Sequence, residues 1–519
     1  MSVKIHHIVA KPRRLSARLW VSMSCIAFVA GCGGGEDGSL SFDFSSPFDA
    51  PAPVSSDVLT AFFAAALDPA TTAAATALLR EDKYLLQQNT WSFSGSGPAY
   101  NSFPLRSSGA AFAHAAGLSG SGSLIVITDE RISEENDVFG GRVEFLINGG
   151  PNGDEHGSVV TAVAGGNSPD FIGVAPEAAL AFGTYETTAG LVGAGQYAIA
   201  NGAVAWNNSW EYIDTALNAR GFDRIFNSSI VFNSSSDGQA YLTTLDDYAA
   251  QGVVVFAVSN EDLDHATLMS GLPYLRPSLE AGWLAAANGV PKLSASGNVT
   301  AVTLISSPCY EAARWCLVAD GTWEVPDASL RLEPGENLVT GSSFAAPQVS
   351  GALALLEQAF PGLSPHELRV RLLASADDSF TGFRADGSVE LAEGFDKDYS
   401  FKYGHGFIDI EAALKPIGTT SMRMADGAAV STDAPVLVTG SAMGDALDVA
   451  LEGAEVSVQD QLNGSFAMPA VALTAGAMPV ARSAALLSGS LRTNLAADRK
   501  APSWRSRIRS AGFAAIHCL

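Results

Sequence analysis

The sequence predicts an α/β fold in three layers, with a mostly parallel central sheet and helices on both of its faces. Residues 124–128, 252–257 and 301–305 are short runs rich in β-branched residues, with the continuous apolar character of strands buried on both faces. Helical stretches alternate with these runs, as in βαβ units. The 51 glycines follow no fixed period, which is typical of many tight loops and not of a fibrous protein.

Helices are predicted both before the first strand and between the strands. Alanine- and leucine-rich stretches at 55–82 and 110–117 precede the first strand. Four further apolar stretches predict the crossover helices: 159–164, 191–199, 245–250 and 349–360. Beyond Pro416 the helical pattern ends, and short runs at 436–438 and 456–458 predict a small β-rich segment.

Composition and charge exclude several classes of function. The 519 residues correspond to about three structural units at roughly 150 residues each. Lys and Arg number 30 against 54 Asp and Glu, and the net charge of −24 disfavours nucleic acid or an anionic membrane surface as the main partner. Hydrophobic residues make up 47% of the chain, which suffices for a large core and excludes a wholly disordered protein.

The N-terminus has the pattern of an export signal. Basic residues precede an apolar run at 19–31 that is too short for a stable membrane span, and small residues then lead to Cys32. This ending resembles the bacterial lipobox, in which the cysteine is lipidated and becomes the mature N-terminus. An ordinary signal peptide, or a buried helix with a chance cysteine, is the alternative. We therefore expect an exported protein, either lipid-anchored in the bacterial cell envelope, with the outer membrane preferred, or secreted.

These patterns divide the chain into four parts. Residues 1–31 are the predicted lipoprotein-type signal peptide, and residues 32–104 form a glycine-rich tether and an N-terminal extension. Residues 105–415 form the main domain. Residues 416–519 contain the β-rich segment and a loose basic tail. The predicted lipid on Cys32 is then the only contact with a membrane.

Two cysteines are candidates for a disulfide, and two acidic residues are candidates for a metal site. Cys309 and Cys316 lie close together in a predicted exported chain, which favours a local disulfide. Zinc is the weaker alternative, because no His/Cys pair at ligand spacing accompanies them. No cofactor is expected. Asp262 and Asp264 offer oxygen ligands for a structural calcium ion, but solvated loop carboxylates are the preferred interpretation.

Three polar residues stand where chemistry is expected. Asp129 directly follows the strand at 124–128, where the chain leaves the sheet. His156 opens a helix of small residues in the segment His-Gly-Ser-Val-Val-Thr-Ala. Ser343 lies in Gly-Ser-Ser-Phe-Ala-Ala-Pro, at the start of an apolar helix.

Together these three residue types suit nucleophilic catalysis. A serine hydroxyl is a poor nucleophile until an imidazole removes its proton, and a buried carboxylate must hold that imidazole in the correct tautomer. A serine at a helix N-terminus also places backbone N–H groups and the positive end of the helix dipole near developing oxyanion charge. We expect Asp129, His156 and Ser343 to meet in the folded protein.

The three segments, in the order Asp, His, Ser, resemble those of the subtilisin-like serine proteases. The resemblance extends over about residues 105–415 and implies the subtilisin-like fold, peptide-bond hydrolysis and a polypeptide substrate. It implies that Asn260, at the end of Val-Val-Val-Phe-Ala-Val-Ser-Asn, donates to the oxyanion. It also implies that Ser209 and Trp210, in Asn-Asn-Ser-Trp, line the cleft where a substrate pairs as an added strand.

The resemblance is nearest to the subtilisin-like domains of bacterial autotransporters, although no barrel pattern follows residue 470. Those domains share a Leu-Pro-Tyr stretch, here 272–274, and a loop between two cysteines with a Trp before the second, here Trp315. The segment from 444 to 466 resembles the region that precedes an autotransporter barrel.

Several residues depart from the family pattern, and they motivate a second hypothesis. Glu130 and Arg131 follow Asp129, Ser259 stands before Asn260, and Glu211 follows the cleft segment. None of these changes removes a reacting group. A catalytically degenerate fold that serves as a surface binding or adhesion module is therefore the alternative to a protease. An esterase of the α/β-hydrolase type is disfavoured, because no Gly-x-Ser-x-Gly elbow follows a strand.

Overall fold

The computed structural model describes residues 68–93, 97–133, 137–151, 155–211, 236–325, 337–423, 428–432 and 451–470. Eight strands form the central sheet: β3 Leu124–Asp129, β4 Val143–Ile147, β7 Ala179–Thr184, β8 Ala205–Asn208, β9 Val253–Ala257, β10 Trp283–Leu293, β11 Val299–Leu304 and β12 Cys316–Ala319. Their order is β11-β10-β9-β8-β3-β7-β4, and β12 also pairs with β10. Every pairing is parallel except that of β10 with the edge strand β11.

The other strands form small antiparallel units around this sheet: β1 Asn89–Trp91, β2 Tyr100–Ser102, β5 Asn167–Ser168, β6 Phe171–Ile172, β13 Thr322–Glu324, β14 Leu338–Thr340, β15 Gly387–Ala392, β16 Phe395–Tyr399, β17 Thr420–Arg423, β18 Ala429–Ser431, β19 Glu455–Asp460 and β20 Ser465–Pro469. The described helices are α1 Pro69–Leu78, α2 Asp82–Leu85, α3 Pro104–Ser107, α4 Ala110–Ala115, α5 His156–Gly165, α6 Thr188–Ala200, α7 Ser236–Ala249, α8 Leu272–Leu275, α9 Ser342–Ala359, α10 Pro365–Ser375 and α11 Ile410–Ala413. Three further segments are 3₁₀ helices: Asp137–Phe139, Pro277–Gly282 and Tyr310–Trp315.

Helix pairs cover the central sheet. Helices α5 and α9 pack against each other and against the sheet, and α6 packs with α7 and against β3 and β7. Every residue of β3, β8 and β9 is buried, which explains their continuous apolar sequences. The predicted α/β fold is confirmed: the chain has the subtilisin-like arrangement of a mostly parallel sheet between helices, with a small antiparallel sheet at the C-terminal end.

One predicted strand has a different environment from the one expected. The run at 301–305 was predicted to lie inside the parallel sheet, but β11 is its antiparallel edge, and only Val299 and Val302 of its six residues are buried. Thr300 and Thr303, which each follow one of these valines, are exposed. The apolar run was too short to distinguish an edge strand from a central one.

The described part of the N-terminal extension packs against the main domain. Tyr84 and Trp91 are 2% and 3% exposed. The Gln87 side chain donates to the carbonyl of Glu324 at 2.7 Å and accepts from its N–H at 3.1 Å. The backbone N–H of Phe103 donates to Asp320 at 2.7 Å. Residues 68–104 are therefore tied to the core by specific polar contacts as well as by apolar burial.

The C-terminal sheet has the order β18-β17-β19-β20 and is held by a buried ion pair. Nη1 of Arg371, in α10, lies 2.7 Å from Oδ2 of Asp460, at the end of β19, and both side chains are fully buried. The guanidinium also lies over the rings of Phe360 and Phe466, 4.3 and 5.4 Å from their centroids. The predicted strand at 456–458 is confirmed within β19.

Several predictions fall outside the described residues. They include the signal peptide, the lipidation of Cys32, the tether, the strand at 436–438 and the basic tail. Within the described residues, every helix falls short of the length and apolar character that a bilayer span needs.

Candidate active site

The end of β3 places Asp129 against His156. Nδ1 of the imidazole lies 2.8 Å from Oδ1 of the carboxylate, and both side chains are fully buried. The same oxygen accepts the backbone N–H of Glu130 at 2.8 Å. With Nδ1 donating to a carboxylate, Nε2 is the nitrogen that is able to accept a proton.

The glycine after His156 permits this close contact. A Cβ atom at Gly157 would lie 2.4 Å from the carbonyl oxygen of Arg131 and 3.0 Å from Cβ of Asp129. Helix α5 therefore begins within van der Waals distance of the strand end that carries the carboxylate. This close contact explains why a glycine follows His156 in the sequence motif.

Ser343 lies in the first turn of α9, directly after a tightly supported bend. Strand β14 ends at Thr340, and the N–H of Gly341 donates to the carbonyl of Gly321 at 3.1 Å. The side chain of Asn288, on β10, accepts from the N–H of Gly321 at 2.8 Å and donates to Oγ1 of Thr340 at 3.1 Å. The central sheet thus holds both sides of the turn that presents Ser343.

The hydroxyl of Ser343 points toward the end of β8. It donates to the carbonyl of Ser209 at 3.3 Å, while the hydroxyl of Ser209 donates to the carbonyl of Ser343 at 2.8 Å. The His156 ring packs against Phe344, with ring centroids 5.4 Å apart. Within the described part of the chain, the Ser343 hydroxyl makes no hydrogen bond to His156, so the structure brings the serine and imidazole segments together without a formed relay.

Asn260, after β9, is locked to the same turn. Its Oδ1 accepts the backbone N–H of Ser342 at 2.9 Å and the hydroxyl of Ser342 at 3.0 Å, and that hydroxyl also contacts the carbonyl of Val258 at 2.5 Å. Because Oδ1 already accepts from Ser342, the Nδ2 group of Asn260 remains able to donate to another acceptor. A Cβ atom at Gly341 would lie only 3.3 Å from Nδ2, so glycine leaves this amide unobstructed.

Ser209 and Trp210 belong to the segment that follows β8. The Trp210 ring is 6% exposed and lies 5.3 Å from the Phe256 ring and 5.6 Å from the Tyr185 ring. Its side chain is therefore part of the core, and only the backbone of this segment is suited to pair with a substrate.

The departures from the family motif form a second layer of polar contacts. Arg131 lies 3.2 Å from Glu155, which precedes His156, and the phenol of Tyr185 donates to Glu130 at 3.2 Å. The hydroxyl of Ser259 donates to Glu211 at 3.0 Å, and burial raises the pKa of Glu211 to about 7. Each added acidic group near the site therefore has a described partner.

The predicted disulfide is confirmed. Cys309 and Cys316 are joined and fully buried, at either end of the 3₁₀ helix Tyr310–Trp315. Glu311 of this loop accepts the N–H of Ala266, and the Trp315 indole donates to the carbonyl of Ser270. The closed loop thereby fixes the chain that follows Asn260.

Across the described ranges, no group of three His, Cys, Asp or Glu side chains is arranged to hold a metal ion. Asp262 and Asp264 lie on an exposed loop, and the calcium hypothesis for them gains no further support.

Two polar residues that support the site, Asn288 and Ser342, were not predicted from the sequence. The roles of Asn288 and Ser342 depend on partners 33 to 84 residues away in the chain. Ser342 lies in the segment Gly-Ser-Ser-Phe-Ala-Ala-Pro, but no local pattern indicates its contacts with Val258 and Asn260. Asn288 carried no sequence signal, because it lies in an otherwise apolar strand.

The chain is similar in sequence to several known bacterial proteins. The chain is 27% identical to a subtilisin of Bacillus pumilus over 317 residues, covering 58% of this chain and 94% of that protein. It is 26% identical to serotype-specific antigen 1 of Mannheimia haemolytica over 218 residues, which is 41% of this chain but only 21% of the antigen. A stretch of 73 residues is 40% identical to the autotransporter lipoprotein NalP of Neisseria meningitidis, covering 14% of this chain and 6% of NalP.

Among solved structures, the Aeromonas sobria serine protease, solved with its chaperone, covers 70% of this chain and 72% of its own at 17% identity, with a TM-score of 0.44. The family model described as the subtilase family matches residues 123–406, which is more than half of the 519 residues. This chain belongs to the subtilase family.

Proposed function

We propose that this protein is an exported serine endopeptidase that hydrolyses peptide bonds through Asp129, His156 and Ser343. The observation that carries the proposal is the buried hydrogen bond between Asp129 and His156, at the carboxyl end of the sheet beside the helix that presents Ser343. A buried imidazole held by a carboxylate is the arrangement that serine activation requires. Membership of the subtilase family supports a serine-type peptidase.

The first chemical step needs one side-chain rotation. In this proposal the Ser343 hydroxyl, which donates to the carbonyl of Ser209, turns about the Cα–Cβ bond to donate to Nε2 of His156 instead. His156 then takes the hydroxyl proton while Oγ attacks the substrate carbonyl carbon. Asp129 stabilises the imidazolium that forms and does not itself take the proton.

The negative charge that develops on the carbonyl oxygen requires donors. Nδ2 of Asn260 and the backbone N–H of Ser343, at the N-terminus of α9, are the groups we assign to it. His156 next gives its proton to the leaving amine, and the C–N bond breaks to leave an acyl ester on Ser343. A water molecule, deprotonated by His156, hydrolyses the ester and regenerates both side chains.

The substrate in this proposal is an extended polypeptide. Residues Ser209 to Glu211 continue beyond the last paired residue of β8, so their backbone is suited to accept a substrate strand by β-augmentation. No nucleic-acid partner is proposed.

Export and anchoring form a separate part of the proposal, which rests on the sequence alone. The apolar run at 19–31 and the small residues before Cys32 support a lipid anchor in the cell envelope, with secretion as the alternative. Mass spectrometry of the mature N-terminus tests it. A diacylated Cys32 is the expected result, and an unmodified N-terminus downstream of residue 32 would contradict the anchor.

The alternative function, a degenerate subtilase that acts as a binding module, is favoured by the hydroxyl of Ser343 resting on the carbonyl of Ser209. Hydrolysis of an unfolded protein such as reduced casein separates the two functions. We expect turnover by the wild type and none by Ser343→Ala. Equal cleavage rates for both, or none for either, would contradict the protease proposal.

A further inference from the structure

One buried carboxylate beside the site is not used by the proposed mechanism. Glu211 lies two residues after Ser209, and its Oε1 accepts the hydroxyl of Ser259 at 3.0 Å. Its Oε2 is shielded from solvent and has no hydrogen-bond partner among the described residues. Leaving a carboxylate oxygen buried and unsatisfied is costly, so a partner from outside the chain would stabilise it.

The sheet places Glu211 opposite Ser259 next to the reacting serine. Asn208 of β8 pairs with Phe256 of β9, and continuing this parallel register brings Glu211 beside Ser259. Trp210 points to Phe256 in the core. Since side chains alternate along an extended segment, Glu211 shares the side of Ser209, whose carbonyl accepts from the Ser343 hydroxyl.

The position of the scissile bond then decides which substrate residue meets Glu211. The carbonyl carbon must lie within bonding distance of Oγ of Ser343, and its oxygen must face the amide of Asn260. Ser343 contacts one of the two strand ends through Ser209, and Asn260 directly follows Ser259 on the other. A substrate bound in this way would direct the side chain of the residue that donates the carbonyl toward the two strand ends, which Glu211 bridges through its hydrogen bond with Ser259.

The charge around the two strand ends is acidic. Glu261, which is exposed, is the other titratable group that acts on Glu211, and Asp262 and Asp264 continue the same loop. Glu211 forms no ion pair with a described Lys, Arg or His. The gap between these strand ends is acidic, and its buried carboxylate forms no ion pair with a described residue, so it is complementary to a guanidinium or ammonium group.

We infer that Glu211 determines substrate specificity, by pairing with an arginine or lysine side chain on the residue immediately N-terminal to the scissile bond. This inference rests on the proposed endopeptidase function. The hydrogen bond from Ser259 orients the carboxylate, so Ser259 is a positioning residue and Glu211 contacts the substrate.

The test uses two internally quenched peptides that are identical except for Arg or Leu at that residue. We expect the wild type to prefer the Arg peptide in kcat/KM, and Glu211→Gln to reduce the Arg-to-Leu ratio by about thirtyfold or more, since it leaves a substrate charge unpaired. Ser259→Ala should reduce the ratio by a smaller factor. Asp396→Asn, the matched control at an exposed carboxylate away from the site, should change it less than threefold.

The pH dependence of the same ratio provides a second readout. The pKa of Glu211, raised by burial to about 7, means that its carboxylate is largely neutral at pH 6 and ionised at pH 8. The Arg-to-Leu ratio of the wild type should therefore rise over this interval, and that of Glu211→Gln should stay level. Taking the ratio cancels any effect of pH that acts on both peptides equally.

Binding of product peptides to an inactive variant tests the inference even if the wild type shows no turnover. In Ser343→Ala, product peptides ending in Arg should bind more tightly than those ending in Leu, and Glu211→Gln should abolish the difference. A wild type that shows no preference for the Arg peptide in cleavage or in binding, or an unchanged ratio in Glu211→Gln, would overturn the inference. Cleavage of the Leu peptide without an Arg preference would leave the proposed function intact.

Discussion

His156 is fixed by contacts on two sides, and these contacts determine what each neighbouring residue contributes. Asp129 holds Nδ1 at 2.8 Å, and Phe344 packs against the ring. The carboxylate sets the tautomer, while the aromatic contact sets the position of the ring relative to Ser343. Removing the carboxylate charge without changing its shape should therefore affect catalysis far more than folding.

We expect Asp129→Asn to lower kcat by about 10⁴-fold, because the amide no longer favours the tautomer with Nε2 available as a base. Steady-state hydrolysis of an unstructured peptide measures the effect. Asp170→Asn, which removes an exposed acidic residue outside the site, is the control and should leave kcat unchanged. Retention of more than a tenth of wild-type activity by Asp129→Asn would exclude the assigned role.

Local patterns in the sequence indicate these candidate residues, but not the hydrogen bonds that Ser343 and Ser342 make with distant residues. Asp129, His156 and Ser343 each lie in a local motif, a strand end or a helix start, that the sequence displays directly. The contact of Ser343 with Ser209 joins residues 134 positions apart, and that of Ser342 with Asn260 joins residues 82 apart. No local pattern specifies such pairs, because they depend on the order of strands in the sheet.

At the scale of elements, the disulfide loop stabilises the chain beyond Asn260. Its closure should contribute about 2.5 kcal/mol to the free energy of unfolding on the chain-entropy model. The double variant Cys309→Ala/Cys316→Ala should lose about this amount in urea denaturation. A reductant should destabilise the wild type by a similar amount and leave the double variant unaffected. An equal response of both proteins to reductant would show that the bond is not the source of the effect.

The stability of the C-terminal sheet should depend on the buried ion pair between Arg371 and Asp460. Replacing Arg371 with Met leaves Asp460 buried without its cation, which should cost about 3–5 kcal/mol of unfolding free energy. Thermal denaturation of Arg371→Met, Asp460→Asn and the double variant measures the coupling. Arg371→Lys keeps the charge but loses the fork that also reaches the carbonyls of Ala413 and Lys415, so it should be intermediate. Additive losses in the double variant would argue against a coupled pair.

How well a strand could be predicted depended on whether it is buried on both faces. The core strands were predicted well because burial on both faces gives an uninterrupted apolar run, as in β9. The edge strand β11 was assigned to the wrong environment, since its short run resembles a buried strand. The ion pair of Arg371 left no sequence signal, because each partner lies in an ordinary polar context far from the other.

For the whole molecule, buried carboxyl groups link stability to pH. Burial raises the pKa of Asp320, which is fully buried, to about 7, although its hydrogen bonds to Phe103 and Thr322 oppose the shift. The pKa values of Glu357 and Asp409 are also raised by burial, to about 7 and about 6. An unfolded Asp ionises near pH 3.9, so folding takes up a proton between about pH 4 and pH 7.

The unfolding free energy contributed by Asp320 should therefore be retained at low pH and lost as pH rises through this window, by up to about 1.4 kcal/mol per pH unit. Urea denaturation of Asp320→Asn from pH 4.5 to 8 should show a correspondingly smaller decrease with pH than the wild type. Asp396→Asn, at an exposed site, is the matched control. Parallel pH profiles for the wild type and Asp320→Asn would contradict this linkage.

The most direct measurement of the central claim is covalent labelling by a serine-directed fluorophosphonate, with the adduct located by peptide mass spectrometry. An activated Ser343 should carry the label in the wild type, react far more slowly in His156→Ala, and remain unlabelled in Ser343→Ala. No adduct on the wild type, or an equal adduct on Ser343→Ala, would show that residue 343 is not the nucleophile.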